Sequence, residues 1–187
     1  GEQAFYNCSG LTGALDLSNC TSLTSIEYGA FEGCSGLKGA LDLSNCTSLI
    51  SIGNYAFQFC SGLTGALDLS NCTRLTSIGE SAFGDCSGLT SITLPSSLTS
   101  IGDYAFFGCS GLTEVDLSNC TSLTSIGRYA FQNCSSLKRI VFPNTTGWYR
   151  TMSSSDTSGT NMTMTNSTQN ATWLIYTYNN YYFKRNA

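Results

Sequence analysis

The sequence predicts an α/β solenoid of five to six turns, and three observations carry that prediction. Ten cysteines recur at a near-constant interval, and nine apolar columns align once the chain is cut at that interval. Inside each turn the apolar spacing switches from two, the period of a strand, to about three, that of a tight turn. A fixed period of roughly 20–50 residues marks a stacked array, because one unit cannot bury its apolar face alone while stacked units bury a continuous core.

The cysteines stand at positions 8, 20, 34, 46, 60, 72, 86, 109, 120 and 134, with gaps of 12, 14, 12, 14, 12, 14, 23, 11 and 14. Paired gaps give 26 three times, then one turn of 23 and one of 25. One turn runs from Cys34 to Phe59 and reads CSGLKGALDLSNCTSLISIGNYAFQF. Its strand is Leu41-Asp42-Leu43, apolar-polar-apolar, repeated as Leu15-Asp16-Leu17, Leu67-Asp68-Leu69, Ile92-Thr93-Leu94 and Val115-Asp116-Leu117. A bend with the second cysteine follows, then a short segment ending in Ile26, Ile52, Ile78, Ile101 or Ile126. The corner, Gly-x-x-Ala-Phe-x-x-Cys-x-x-Leu, spaces apolar residues at about three and is expected to be a tight helical turn.

These motifs also carry a resemblance. Leu112-x-x-Val115-x-Leu117-x-x-Cys120 resembles the LxxLxLxx(N/C) segment of leucine-rich repeats, and the 26-residue turns resemble their cysteine-containing class. The 23-residue turn at 86–108, with Pro95 and its Ile-Gly-x-x-Ala-Phe-x-x-Cys corner, is closer still to the BspA-like, or Treponema-type, repeat. The Ser-Asn-Cys-Thr-Ser bend of the long turns departs from that pattern. The resemblance covers residues 1–143 and implies a right-handed leucine-rich-repeat solenoid on a cell-surface or secreted protein. By the same resemblance, such proteins are bacterial and protist surface antigens that bind host extracellular-matrix proteins, such as fibronectin or fibrinogen, or other bacteria.

Residues 144–187 change character: no cysteine, much Ser, Thr and Asn, and eight aromatic residues. Trp148–Thr151, Met162–Thr165 and Trp173–Tyr178 have strand-like composition, separated by turn-rich breaks at 153–159 and 166–170. A β-rich cap shielding the last turn is the expectation, with partial disorder and a ligand-binding tail as alternatives. At the other end Ala4-Phe5 matches a corner without its strand, the expectation there being a piece of a longer array.

Composition removes several functions. Eight basic against twelve acidic residues give a net charge of −4, no footprint for a nucleic acid or an anionic membrane. No apolar run reaches the roughly 18 residues of a membrane helix. Histidine is absent, which removes Ser-His-Asp and Cys-His nucleophile pairs and imidazole metal sites. No CxxC occurs, so no zinc site and no cofactor are expected. Stacked cysteines have parallel Cβ vectors, unsuited to disulfides, and are expected as buried thiols donating weakly to bend carbonyls.

Two columns are candidate binding residues. Asp16, Asp42, Asp68 and Asp116, with Thr93 between them, occupy the outward middle of the strand. They read either as a surface for a cation or a polar, cationic ligand, or as a solvated Asp copied with its repeat. Their mutual repulsion is expected to raise their pKa values. Tyr55, Tyr104 and Tyr129 share another column, read either as an aromatic binding stripe or as cover for the Phe layer. Asn19, Asn45, Asn71 and Asn119 form Asn-Cys-Thr glycosylation sequons, but lie in a bend where Asn bonds local backbone.

The function expected from all this is a non-enzymatic adhesion module with a protein ligand, monomeric or part of a longer array, without nucleic acid, membrane insertion, metal or cofactor. The alternative is a structural spacer that displays another domain away from the cell envelope, which near-identical turns favour. A hydrolase would need a pocket with perturbed acids and stands furthest from the residues.

Overall fold

The computed structural model describes residues 1–143, 146–156, 158–164, 167–177 and 179–185. Among these residues, twelve short strands form two sheets, one on each long side of a solenoid. The two-residue Ser-Ile strands β1 (Ser25–Ile26), β2 (Ser51–Ile52), β4 (Ser77–Ile78), β6 (Ser100–Ile101) and β8 (Ser125–Ile126) pair in parallel along one side. Along the other side β3 (Thr64–Asp68), β5 (Gly88–Thr93), β7 (Glu114–Asp116) and β9 (Arg139–Val141) do the same.

Between the sheets lies one core, made of the columns that the repeat aligns. Leu41, Leu67, Ile92, Val115 and Ile140 point inward from one side, and Ile26, Ile52, Ile78, Ile101 and Ile126 from the other. The Phe column stacks ring on ring from Phe5 through Phe31, Phe57, Phe83 and Phe106 to Phe131, with centroids 5.0–5.5 Å apart and planes within 10°. Each such pair adds about 0.5–1.5 kcal/mol beyond its burial. The first turn is the exception to this burial. Leu15, Leu17 and Leu23 are only half-buried and Leu11 is exposed, because no turn packs on that side among the described residues.

The cysteines are all free thiols, and eight are buried. Cys34, Cys60, Cys86, Cys109 and Cys134 each place Sγ 3.0–3.2 Å from the carbonyl oxygen of the Phe in the preceding turn. A second, longer ladder runs from Cys46, Cys72 and Cys120 to Leu17, Leu43 and Leu94 at 3.4–3.7 Å. Burial pushes these thiols up, to about 12 for Cys60, Cys120 and Cys134 and about 11 for Cys72. In the expected row of buried thiols, Cys20 is a correction: it is exposed, and Cys8 is half-buried, since both belong to the open first turn.

The corners keep the expected spacing of three but are not a continuous helix. N–H groups alternate between closing a local turn and crossing to the next coil: Ala56, Gln58 and Cys60 donate to Gly53, Tyr55 and Phe57, while Tyr55, Phe57 and Phe59 donate to Glu80, Ala82 and Gly84. Positive φ at Tyr55 (59°) and Phe59 (61°) gives the third residue of the first and last of these turns the left-handed backbone of a type II turn. A helix would turn every N–H inward, and the stack needs half of them for its neighbours.

The C-terminal segment continues the Ser-Ile sheet. β12 (Tyr182–Arg185) pairs antiparallel with β8, then with β10 (Trp148–Thr151), which pairs with β11 (Thr160–Met162). Trp148 is buried edge-on against Phe142, with centroids 4.8 Å apart. Helix α1 (Ser167–Thr172) packs on β9, where Asn170 Nδ2 donates to the Ile140 carbonyl at 3.1 Å. The expected strand at 173–178 is corrected: Trp173–Thr177 is a π-helical turn that buries Leu174 and Ile175 together, and Tyr178 lies outside the described residues. Of the expected strand at 162–165, only Met162 belongs to β11, and Thr165 lies outside the described residues.

Candidate functional site

The predicted residues fall on two surfaces. Asp68, Thr93, Asp116 and Val141 stand opposite one another in register on the outer face of the four-stranded sheet, and Asp16 bridges Asp42 in the same manner. Each Asp closes an Asx turn: Oδ1 accepts the N–H of Ser18, Ser44, Ser70 or Ser118 at 2.8–2.9 Å. The expected upward pKa shift is therefore reversed at Asp16, whose carboxyl is lowered by hydrogen bonds from Ser18. Hydrogen bonding to the ionised form outweighs repulsion among exposed charges in water.

Beside this row runs a second, Ala66-Ser91-Glu114-Arg139, in which Arg139 Nη1 donates to Glu114 Oε1 at 2.7 Å. Short side chains at Ala66 and Ser91, next to an ordered row of carboxylates, make this sheet a flat and regular surface.

Tyr55, Tyr104 and Tyr129 sit at the corner after the other sheet, all half-buried and all with positive φ. Tyr55 donates its hydroxyl to Glu80 Oε1 at 2.9 Å, and that bond pushes its phenol up. Tyr104 stacks on Tyr129 with centroids 4.9 Å apart, and burial raises its phenol. The column is thus spent largely on its own neighbours, and it does not meet the Asp row.

The cleft of about 550 Å³ was not legible in the sequence. Its floor is the outer face of the Ser-Ile sheet at Ser100 and Ser125, and its far wall is β12 and the 153–156 loop. Asp103 accepts the Tyr182 hydroxyl at 3.2 Å and pairs with Arg128 at 3.6 Å, while the Arg128 guanidinium lies 5.1 Å from the Tyr182 ring centre. Lys184 Nζ donates to the carbonyls of Ser154 and Asp156, and the Tyr149 hydroxyl donates to the Asp156 carbonyl at 3.2 Å. The signal available in the sequence was the local basic bias of the C-terminal segment, including Lys184 and Arg185.

Among the described residues, no three Cys, Asp or Glu side chains converge as a metal site would require, and no helix is long and apolar enough to cross a membrane.

The chain is similar to several solved leucine-rich-repeat structures. A T. pallidum leucine rich repeat protein is 29% identical, with a TM-score of 0.55 over 73% of this chain and 69% of that one. A leucine rich cell surface protein from Faecalibacterium prausnitzii is 26% identical, with a TM-score of 0.43 over 73% of this chain and 44% of that one. A leucine-rich repeat protein from Bacteroides ovatus is 25% identical, with a TM-score of 0.28, and the chain spans 52% of its length. No curated protein matches the chain. The model for the BspA type leucine rich repeat region matches six copies across residues 1–74 and 51–186. With the period, the columns and the two-sheet coil already in place, that match settles the family: the chain belongs to the BspA type leucine rich repeat proteins.

Proposed function

We propose that this chain is a non-enzymatic protein-binding module of a cell-surface or secreted protein, and that host extracellular-matrix proteins are among its ligands. Membership of the leucine-rich-repeat family supports the protein-interaction part of that reading. The observation that carries it is the outer face of the four-stranded sheet. There Asp, Thr, Ala and Ser stand in register along the array, held by a rigid core, and no bulky side chain interrupts them until Glu114 and Arg139. A flat, regular face of carboxylates and short polar side chains suits wet, polar contacts with another protein. Residues 144–187 fit the role of a cap over the last turn.

The test is binding of the full chain to immobilised fibronectin and fibrinogen, compared with the double variant Ala40→Arg/Ala66→Arg. Both alanines are exposed, Ala66 on β3 and Ala40 at the matching position of the turn before, so folding is retained. Binding that the double variant loses by tenfold or more, about 1.4 kcal/mol, supports the assignment. Equal binding by both proteins moves the site elsewhere, and no binding to either favours the spacer that near-identical turns suggest.

A further inference from the structure

We propose that the cleft between the Ser-Ile sheet and the C-terminal strands is a binding site for a neutral saccharide, with the serine row of that sheet as its track. The cleft lies on the sheet opposite the proposed protein-binding face, so the two readings stand or fall separately.

The register supplies the first argument. Ser25, Ser51, Ser77, Ser100 and Ser125 pair side by side across five strands, and the row continues through Lys184 to Tyr149 and Asn161. Each Ser precedes a buried Ile in a two-residue strand and therefore points outward. Neighbouring hydroxyls are then about 4.8 Å apart. That interval is close to the advance of one unit along an extended β-linked hexopyranose chain. The row enters the cleft at Ser100 and Ser125.

Charge supplies the second. The ionic groups of the cleft already answer one another: Asp103 meets Arg128 and the Tyr182 hydroxyl, Lys184 meets two backbone carbonyls, and the Asp156 carboxylate accepts the Thr151 hydroxyl. An anionic ligand would face Asp103 and Asp156, and a cationic one Lys184 and Arg185. The remaining polar side chains of the lining carry hydroxyls, Ser100, Ser125 and Ser155 among them, beside the Tyr182 ring and the flat backbone of Gly102. Hydroxyl partners next to an aromatic ring and bare backbone suit the alternating O–H and C–H surface of a sugar ring, and a volume of about 550 Å³ admits a disaccharide.

The experiment is a ¹H–¹⁵N titration of the full chain with cellobiose, N,N′-diacetylchitobiose and cellotetraose, with a heparin-derived disaccharide as the anionic arm. The expected result is saturable shifts of the Ser100, Ser125, Ser155 and Lys184 amides at millimolar neutral sugar. Cellotetraose should bind roughly threefold tighter than cellobiose, as one further neutral hydrogen bond on the serine row would give. Ser125→Tyr, which fills the floor, abolishes the shifts; Ser155→Tyr, on the exposed loop, does so without touching the sheet. Unchanged circular dichroism melts show that both variants fold. The proposal is overturned if no neutral sugar gives saturable shifts at tens of millimolar, if the heparin-derived disaccharide binds more tightly, or if both folded variants bind as the parent does.

Discussion

Cys86 Sγ lies 3.1 Å from the carbonyl oxygen of Phe57 in the preceding turn, and that oxygen also accepts the N–H of Cys60 at 3.1 Å. One backbone oxygen thus receives its own turn's amide and the next turn's thiol. The same pair of donors meets Phe5, Phe31, Phe83 and Phe106. This explains why the cysteine repeats with the Phe rather than with the strand: the thiol is small enough for the interior and donates where two turns touch.

Cys86→Ala removes a buried sulfur and this contact but leaves the Phe57 oxygen its amide partner. The expected loss is about 1–2 kcal/mol in a urea melt, whereas Cys20→Ala, at an exposed thiol, changes stability by less than about 0.5 kcal/mol. Equal losses would remove the ladder from the account of stability.

Alkali should unfold the chain early. Cys60, Cys120 and Cys134 are pushed to about 12 in the fold from an ordinary value near 9, so above pH 9 the unfolded chain sheds protons that the folded chain keeps. Stability is complete below the unfolded value and falls between pH about 9 and 12, with each such thiol contributing up to about 1.4 kcal/mol per pH unit. A far-ultraviolet circular dichroism titration should show a cooperative loss in that window, and substituting Cys60, Cys120 and Cys134 together by Ala should make it shallower, since Cys72, Cys86 and Cys109 remain raised. A pH-independent signal to pH 12 would contradict the raised values.

Leu69→Ala, at a fully buried side chain, should cost about 2–5 kcal/mol by leaving a cavity between the sheets. Asp68→Ala, one residue away and pointing out, loses only the Asx contact to Ser70 and should cost about 0.5 kcal/mol. Matched urea melts compare them, and similar losses would reverse the inward and outward faces at the end of β3.

Gly102→Ala should be more damaging than its size suggests. A Cβ at Gly102 would stand 2.6–2.8 Å from the backbone of Gly79 and Glu80 in the turn before, which neither side can vacate. The expected cost is at least about 2 kcal/mol, while Gly10→Ala, with open space around its Cβ, should be nearly neutral. Gly53, Gly79 and Gly127 occupy the same column against backbone, whereas Glu27 holds it in the first turn, where no turn packs behind it among the described residues. Thermal melts of the two variants distinguish them.

The period, the inward columns and the absence of disulfides were legible in the sequence because a solenoid makes its contacts one period apart. Residue spacing then states directly which side chains touch, as for Leu67 beside Ile92 or Phe57 on Phe83. The outward position of the Asp row was equally legible from strand alternation. Its Asx turns were not, because a carboxylate's choice between solvent and a nearby N–H depends on the backbone of the bend. The corner misled for a related reason: a spacing of three is shared by a helix and by successive turns, and the hydrogen bonds to the next coil decide between them.

Outside the repeat no period links distant residues, and there only the folded chain decides. Trp173–Thr177 has the composition of a strand yet forms a π-helical turn, because Leu174 and Ile175 must both enter the shared core. Lys184 comes opposite Ser125 through an antiparallel pairing across 58 intervening positions, which local propensity does not encode. The sequence by itself determined the coil, since each turn repeats the same apolar side chains and neighbours repeat the same contacts. The tertiary structure decided the cleft, since its walls meet only after β12 turns back along β8 to satisfy that strand's open hydrogen-bonding edge.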